Sequence, residues 1–300
     1  MSAVVEASAK ARTLVEALPY IRSYRNRVVV VKLGGEPLDD AALAARVSED
    51  VALLALVGLR VVVVHGGGPQ ITRAMQQRGI EPLFANGLRI TDDASMELVQ
   101  HTLIGGVNAD LVRRLNAAGA PAVGLSGIDA SCIVATRSLG SNGEDLGRVG
   151  NVLEVRPAAI LALLEQGMTP VVAPVGVSAP ECVSQVRPRP PLGETLNVNA
   201  DAAAAAVAGS LRAEKLVYLT NVEGLYRDLG NRGSLISEMK RDDLAALAPR
   251  LSAGMAPKAA SALAALDAGV GKVHILDGRV EHSLLLEIFT EDGIGTQVLP

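Results

Sequence analysis

Three hundred residues can build one large domain or two modest ones, each with its own core. Hydrophobic residues make up 49% of the chain but aromatics only 2%, with no Trp, so the core must come from Ala, Val, Leu and Ile, the inventory of helices packed on a buried sheet. A net charge of −4 with no basic stripe argues against nucleic acid as a partner, no apolar run is long enough for a membrane span, and two isolated cysteines, Cys132 and Cys182, fit a reduced, cytoplasmic setting.

Val4, Ala7, Ala11, Leu14, Val15 and Leu18 recur at helical spacing, which predicts an amphipathic helix over residues 4–24 that Pro19 interrupts or kinks. Acidic residues and the lack of a long apolar run distinguish this start from a secretory leader. From Arg27 onward the pattern alternates. Residues 28–33 read as a strand buried on both faces, 38–57 as a helix, 61–64 as a second such strand, and 69–78 as a helix with Pro69 in its first turn. Residues 94–118 read as a long helix broken or bent near Gly105–Gly106. Strands at 122–125 and 132–135, a helix at 157–166 and a strand at 170–173 follow. Residues 176–196, rich in Pro, Gly and Ser, read as a loop or hairpin. A helix at 199–209, a strand at 216–219, helices at 242–251 and 257–268, and a strand at 273–276 complete the series. Such alternation predicts an α/β fold, a three-layer αβα sandwich with a mainly parallel central sheet.

Three of these strands run directly into glycine, at Lys32-Leu33-Gly34-Gly35, His65-Gly66-Gly67-Gly68 and Leu125-Ser126-Gly127. Ligands of open α/β sheets collect at the carboxyl ends of strands, where glycine lets backbone N–H groups approach an anion. Tight strand-to-helix turns need glycine anyway, so each pair alone says little. Together, with a lysine on one strand, they point to an anion site, although neither a G-x-x-x-x-G-K-[S/T] loop nor a strand-linked G-x-G-x-x-G is present. Lys32 ends a strand buried on both faces, where a snorkelling surface lysine fits poorly. Asp201 stands in the first turn of the helix at 199–209, where an ordinary helix-start acid is the competing reading. Lys258 opens a helix against its dipole, which a bound anion would explain.

Beyond these residues the chain carries Asn86-Gly87-Leu88-Arg89-Ile90-Thr91-Asp92, Asp145-Leu146-Gly147-Arg148-Val149-Gly150, Asn197-Val198-Asn199-Ala200-Asp201, Leu219-Thr220-Asn221-Val222-Glu223-Gly224 and Gly254-Met255-Ala256-Pro257-Lys258. In that order the blocks resemble the N-acetylglutamate kinases of the amino-acid kinase superfamily, from about Ala17 to Val298. The resemblance implies ATP-dependent phosphorylation of the side-chain carboxylate of N-acetyl-L-glutamate. In it, Lys32 and Lys258 flank the transferring phosphoryl group, and Asp201 holds both lysines. The backbone of Gly34, Gly35, Gly66 and Gly67 receives phosphoryl and carboxylate oxygens. Arg89 grips the α-carboxylate, and Asn197 contacts the α-substituent. Thr220, Asn221 and Gly224 help form the nucleotide site, with Mg2+ carried on the ATP phosphates and no metal held by the protein itself.

The same resemblance divides the chain into an N-terminal helix (1–25), a substrate lobe (26–209) and a nucleotide lobe (210–300). The helix and the run His282–Thr290 with Gly293–Thr296 resemble the arginine-inhibited hexameric members, trimers of dimers. This implies an L-arginine site that includes Tyr20, His282, Glu287 and Gly293. Departures from the family pattern are Glu36-Pro37-Leu38 after the first glycine pair, Gly106, Ala109 and Ile128 where lysines are frequent, and a longer loop at 176–196. Three other readings stand beside this one. A sister kinase for a carrier-bound aminoadipate derivative would use Arg187 and Arg189 of that loop. A catalytically silent arginine sensor would not need Lys32, Asp201 and Lys258 intact. A serine hydrolase could order Ser126, Asp201 and His274, but residues 124–128 lack the G-x-S-x-G elbow. His101, Cys132 and Cys182 read as packing residues.

Overall fold

The computed structural model describes residues 3–85, 87–179, 193–228, 231–252, 254–290 and 293–300. Helix α1 (Ala3–Tyr24) leads into strand β1 (Val28–Leu33). Then come α2 (Gly35–Asp39), α3 (Ala41–Leu56), β2 (Arg60–His65), α4 (Gly68–Gln77) and a small hairpin of β3 (Phe84–Ala85) and β4 (Leu88–Arg89). Helices α5 (Asp93–Gln100) and α6 (Ala109–Ala117) flank a π-helical segment, His101–Asn108. Next are β5 (Ala122–Ser126), β6 (Ile133–Leu139), β7 (Asp145–Val155), α7 (Ala158–Glu165), β8 (Thr169–Ala173), β9 (Val175–Ser178) and β10 (Thr195–Val198). The last third holds α8 (Ala200–Ser210), β11 (Lys215–Thr220), β12 (Glu238–Lys240), α9 (Arg241–Leu247), α10 (Ala256–Asp267), β13 (Lys272–Asp277), α11 (Ser283–Phe289) and β14 (Thr296–Leu299).

Eight strands form one sheet in the order β12-β14-β13-β11-β1-β2-β8-β5. Every pairing is parallel except β13 with β14. Because side chains alternate across a strand, β1 feeds two cores. Val29, Val31 and Leu33 pack with Val51 and Leu54 of α3 and Leu111 of α6. Val30 packs, with Val62 and Val64 of β2, against Ala204 and Ala208 of α8 and Ala262 of α10. Apolar residues on both faces make these strands read as unbroken hydrophobic runs, and they give the three-layer αβα sandwich. The Ala-rich composition of α8 and α10 permits close approach: a Cβ on Gly209 would lie 2.6 Å from that of Ala268.

The chain leaves β1 toward β2 on one side, while β11 lies on the other. This junction is a topological switch point, where the following connections diverge and leave a crevice at the strands' carboxyl ends. Among the described residues no helix is long and apolar enough to cross a membrane.

Four elements differ from the sequence expectation. Helix α1 runs through Pro19 without a break. The helix expected at 38–57 is two, because the Asp40 side chain accepts from Ala42 N and Leu43 N (2.9 and 3.1 Å) and starts α3 afresh. The helix at 94–118 is continuous, with Gly105–Gly106 inside a π-helical stretch rather than at a break. Strands β6, β7, β9 and β10 close into a small barrel that the sequence reading lacked. In it β9 and β10 pair antiparallel across the segment read as a loop or hairpin. Cys182, Arg187 and Arg189 lie outside the described residues, as does Asn86.

Candidate active site

Lys32 lies on the Val30 face of β1, so its ammonium turns toward α8 and α10 rather than toward α3. There it meets Asp201, Nζ to Oδ1, at 2.7 Å. Asp201 stands in the first turn of α8, whose N-cap Asn199 accepts from Asp201 N and Ala202 N (2.8 and 3.1 Å). Lys258, in the first turn of α10, brings Nζ to 3.4 Å from the second oxygen, Oδ2. One carboxylate thus bridges two lysines. Burial alone would raise the Asp201 pKa, but the Lys32 and Lys258 charges and their hydrogen bonds outweigh it and hold the carboxyl below its usual value. The reading of Asp201 as an ordinary helix-start acid fails, because the side chain is buried and doubly paired.

This bridge lines a cavity of ≈ 360 Å³ at the switch point, together with Gly34, Gly35, Gly66 and Gly67. The N-terminal turns of α4, α8 and α10 reach the same cavity through Pro69, Ala200 and Lys258, and add favourable field for an anion. Glycine is required where the β1 and β2 loops meet. A Cβ on Gly35 would lie 2.6 Å from Pro69 Cδ, and one on Gly67 would lie 2.5 Å from Leu103 Cδ2. The four glycines are not equivalent. Gly66 N–H donates to Leu33 O (2.8 Å) and Gly34 N–H to Leu219 O (3.4 Å), whereas Gly35 N–H begins α2 and has no acceptor within that helix.

Arg89, on β4, also lines the cavity and is buried. Its Nη2 donates to Gly68 O (3.0 Å) and Thr72 Oγ1 (2.8 Å), and its guanidinium lies 4.7 Å from the centre of the Phe84 ring. Among the described residues no carboxylate pairs with it, and burial lowers its pKa. A buried cation held only by neutral groups is set up to receive an anionic ligand. Asn197 of β10 also lines the cavity and donates from Nδ2 to Thr91 Oγ1 (3.1 Å).

On the β11 side, Thr220 and Asn221 line the cavity, and Thr220 Oγ1 accepts from Val222 N (3.0 Å). Gly224 does not line it; it packs on β14, where a Cβ would meet Thr296 Oγ1 at 2.5 Å. Glu36 lines the cavity mouth and accepts from Asn221 Nδ2 at 2.6 Å, so it ties the loop after β1 to the loop after β11. Sequence reasoning assigned no role to Gln70, which donates from Nε2 to Gly35 O (2.9 Å) and Asp39 Oδ1 (2.6 Å) and thereby fixes the first glycine loop. Its only signal was its place two residues after the His65–Gly68 run. Among the described residues no cluster of three or more His, Cys, Asp or Glu side chains could hold a metal.

A second cavity, of ≈ 410 Å³, lies between α1 and the α11–β14 region and is lined by Tyr20, Lys215, Glu287 and Gly293. Glu287 is buried, with Oε1 2.6 Å from His274 Nδ1 and 3.8 Å from Lys215 Nζ, and Oε2 accepting from Ile294 N (3.0 Å). Burial works to raise its pKa; His274, the Ile294 N–H and Lys215 prevail and lower it. His282 is not in this group. It turns toward Asp50, Nδ1 to Oδ1 2.6 Å, across the gap to α3.

The hydrolase order Ser126, Asp201, His274 has no counterpart in space. Ser126 Oγ donates to Asp129 (2.9 Å), His274 pairs with Glu287, and Asp201 serves the lysines. Cys132 is buried, and that burial pushes its thiol up to about 11, in keeping with a packing role. His101 is exposed instead, because Val99 and Leu103 take the buried positions of its turn.

Residues 27–277 match the profile of the Amino acid kinase family. A protein of Acidothermus cellulolyticus named acetylglutamate kinase is 47% identical, over 97% of this chain and 97% of its own. Among solved structures, an N-acetylglutamate synthase from Neisseria gonorrhoeae, complexed with coenzyme A and N-acetyl-glutamate, aligns with a TM-score of 0.83 and 31% identity. The alignment covers 97% of this chain but only 63% of the synthase. Carbamate kinase of Giardia lamblia, bound to AMP-PNP, aligns at a TM-score of 0.62 and 15% identity over 91% of this chain and 98% of its own, a likeness of fold alone. The chain therefore belongs to the amino acid kinase family.

Proposed function

We infer that the chain transfers the γ-phosphoryl group of ATP to the side-chain carboxylate of N-acetyl-L-glutamate, the second step of arginine biosynthesis. The carrying observation is the Lys32–Asp201–Lys258 bridge in a cavity also lined by buried Arg89, with which no carboxylate among the described residues pairs. Relatives named for this activity at 42–47% identity over nearly the whole chain support the same substrate.

A carboxylate is ionised at neutral pH and is itself the nucleophile, so no side chain has to remove a proton. Its oxygen bonds to the γ-phosphorus as the bond to the β,γ-bridging oxygen breaks, and ADP leaves with that electron pair. Two anions must be held in line while their repulsion is screened. Asp201 fixes both ammonium groups, whose remaining hydrogens address the equatorial phosphoryl oxygens. The glycine loops contribute N–H groups, Arg89 takes the α-carboxylate, and Asn197 faces the acetamido group. Thr220 and Asn221 lie on the nucleotide side, within residues 210–300, and residues 26–209 form the substrate side. Magnesium carried on the nucleotide phosphates would supply further positive charge to the site. The test is hydroxylamine trapping of the acyl phosphate from MgATP and N-acetyl-L-glutamate. Hydroxamate formation is expected; its absence with this substrate, but presence with a carrier-bound aminoadipate, would overturn the assignment.

The second cavity supports inhibition by L-arginine, with Glu287 facing the effector's guanidinium and Tyr20 linking the site to α1. Exposed Leu14 and Val15 on α1 (69% and 64% accessible) support assembly of the cytoplasmic enzyme into a hexamer through this helix. Millimolar L-arginine should inhibit, and Tyr20→Ala should raise the half-inhibiting concentration by about tenfold, for a loss of about 1.4 kcal/mol, without changing the uninhibited rate. Full activity at saturating arginine would refute the effector site, and a dimer mass in light scattering would refute the hexamer.

A further inference from the structure

His65 closes β2, just ahead of the Gly66–Gly67 turn, and is completely buried, yet no step of phosphoryl transfer uses it. Its Nδ1 lies 2.8 Å from Gly66 O, and its Nε2 lies 3.1 Å from Nδ2 of Asn108, the last residue of the π-helical segment. The same Asn108 Nδ2 is 2.9 Å from Val171 O. A carbonyl can only accept, so the atom facing it is the amide nitrogen, and its second hydrogen goes to His65 Nε2 at 3.1 Å in preference to Leu125 O at 3.4 Å. Nε2 is therefore the acceptor, which leaves the ring proton on Nδ1, donating to Gly66 O. Burial lowers the His65 pKa to about 4, so the neutral ring persists at pH 7.

We propose that His65 and Asn108 are positioning residues that aim the Gly67 N–H at the transferring phosphoryl group. In a trans peptide the C=O of residue i and the N–H of residue i+1 point in opposite directions. With Gly66 C=O held by His65 in the protein interior, the Gly67 N–H turns away from the ring, toward the cavity that Gly67 lines. Among the described residues no backbone carbonyl outside regular secondary structure receives that N–H, whereas the Gly66 N–H is already engaged by Leu33 O. Room for Asn108 is made on the neighbouring strand: a Cβ on Gly124 would lie 2.1 Å from Asn108 Oδ1. The widened π-helical turn and Gly124 together bring this amide to the imidazole. Without them the peptide could rotate, and a donor displaced by even an ångström loses on the order of 10²-fold in rate.

This inference rests on the phosphoryl-transfer reading, so the experiment separates the two. Long-range 1H–15N correlation spectra of the wild-type protein at pH 7, with the His65 signal assigned by its loss in His65→Asn, should show the Nδ1–H tautomer. Steady-state kinetics of His65→Leu, which cannot hold Gly66 O, should give kcat lower by about 10- to 100-fold, with KM for both substrates within about twofold. His65→Asn, whose amide nitrogen takes the place of Nδ1, should recover most of that loss. Thermal melts of both variants check the fold. An Nε2–H tautomer overturns the proposal, as does a folded His65→Asn no faster than His65→Leu, or a His65→Leu whose loss lies in KM. If the wild type forms no acyl phosphate, the substrate reading fails, and the tautomer alone decides whether the peptide is held this way.

Discussion

Lys258→Ala should lower kcat by on the order of 10²- to 10³-fold, the usual cost of removing one fixed donor to a transition state, with little change in KM for N-acetylglutamate. Its tie to Asp201 is the looser of the two: it is 20% accessible and 3.4 Å from the carboxylate, against 8% and 2.7 Å for Lys32. Removing it leaves the Lys32–Asp201 pair neutral and intact, so the fold keeps its buried ion pair while the site loses a positive charge. Equal losses in kcat and kcat/KM would place the contact in the transition state; a rise in KM alone would mean that Lys258 only helps to bind the ground state. The pH dependence of the wild-type rate belongs to the same argument. Asp201 has a depressed pKa in the folded protein, so its contribution to stability is complete above the ordinary carboxylate value and is lost only as pH falls through the lowered one. No general base titrates near neutrality, so kcat should be flat there rather than bell-shaped.

How much of this was legible depended on where each residue's partners lie. Strands β1, β2, β11 and β13 announce themselves as apolar runs because both of their faces are buried by helices. Lys32, interrupting one of those runs beside a glycine pair, stood out for the same reason. Asp40 could have been read as a helix start, but its cap lies inside a stretch whose apolar residues recur on both sides of it. The barrel strands β6 and β7 gave no clean alternation, because their pairing shifts register twice and several of their residues are only half-buried. Two glycines sit within that barrel, at positions a side chain would overfill. A Cβ on Gly150 would lie 2.9 Å from Leu196 Cβ, and one on Gly176 would lie 3.1 Å from Ile133 O. Pairings such as Glu36 with Asn221, or Asn108 with His65, join residues 185 and 43 positions apart, and no local pattern encodes them. Arg89 had an assigned role only through resemblance; that no carboxylate among the described residues pairs with it became visible only in three dimensions.

That lack leads to a prediction with two opposite signs. Arg89→Met should raise KM for N-acetylglutamate by about 10²-fold, since a charged hydrogen bond to a carboxylate is worth about 1.5–3 kcal/mol and a guanidinium offers two. The rate at saturating substrate should fall much less, because Arg89 bonds to Gly68, Thr72 and Met75 and not to the Lys32–Asp201–Lys258 bridge. In the substrate-free protein the same replacement should leave the melting temperature unchanged or raise it. Burial already disfavours the cation, as its lowered pKa records, and a side chain of similar length without charge removes that penalty. The neutral groups that hold it are the Gly68 carbonyl, the Thr72 hydroxyl, the Met75 sulfur (3.3 Å from Nη1) and the Phe84 ring. Of these, the Gly68 carbonyl and the Thr72 hydroxyl would lose a hydrogen bond that water entering from the open cavity can replace, and the Met75 sulfur, a weak acceptor, would lose little. A residue kept at a cost to the empty protein and regained on binding is a ligand-binding residue. A fall in melting temperature with an unchanged KM would instead make Arg89 a structural tie between β4 and α4, and the α-carboxylate would need another cation.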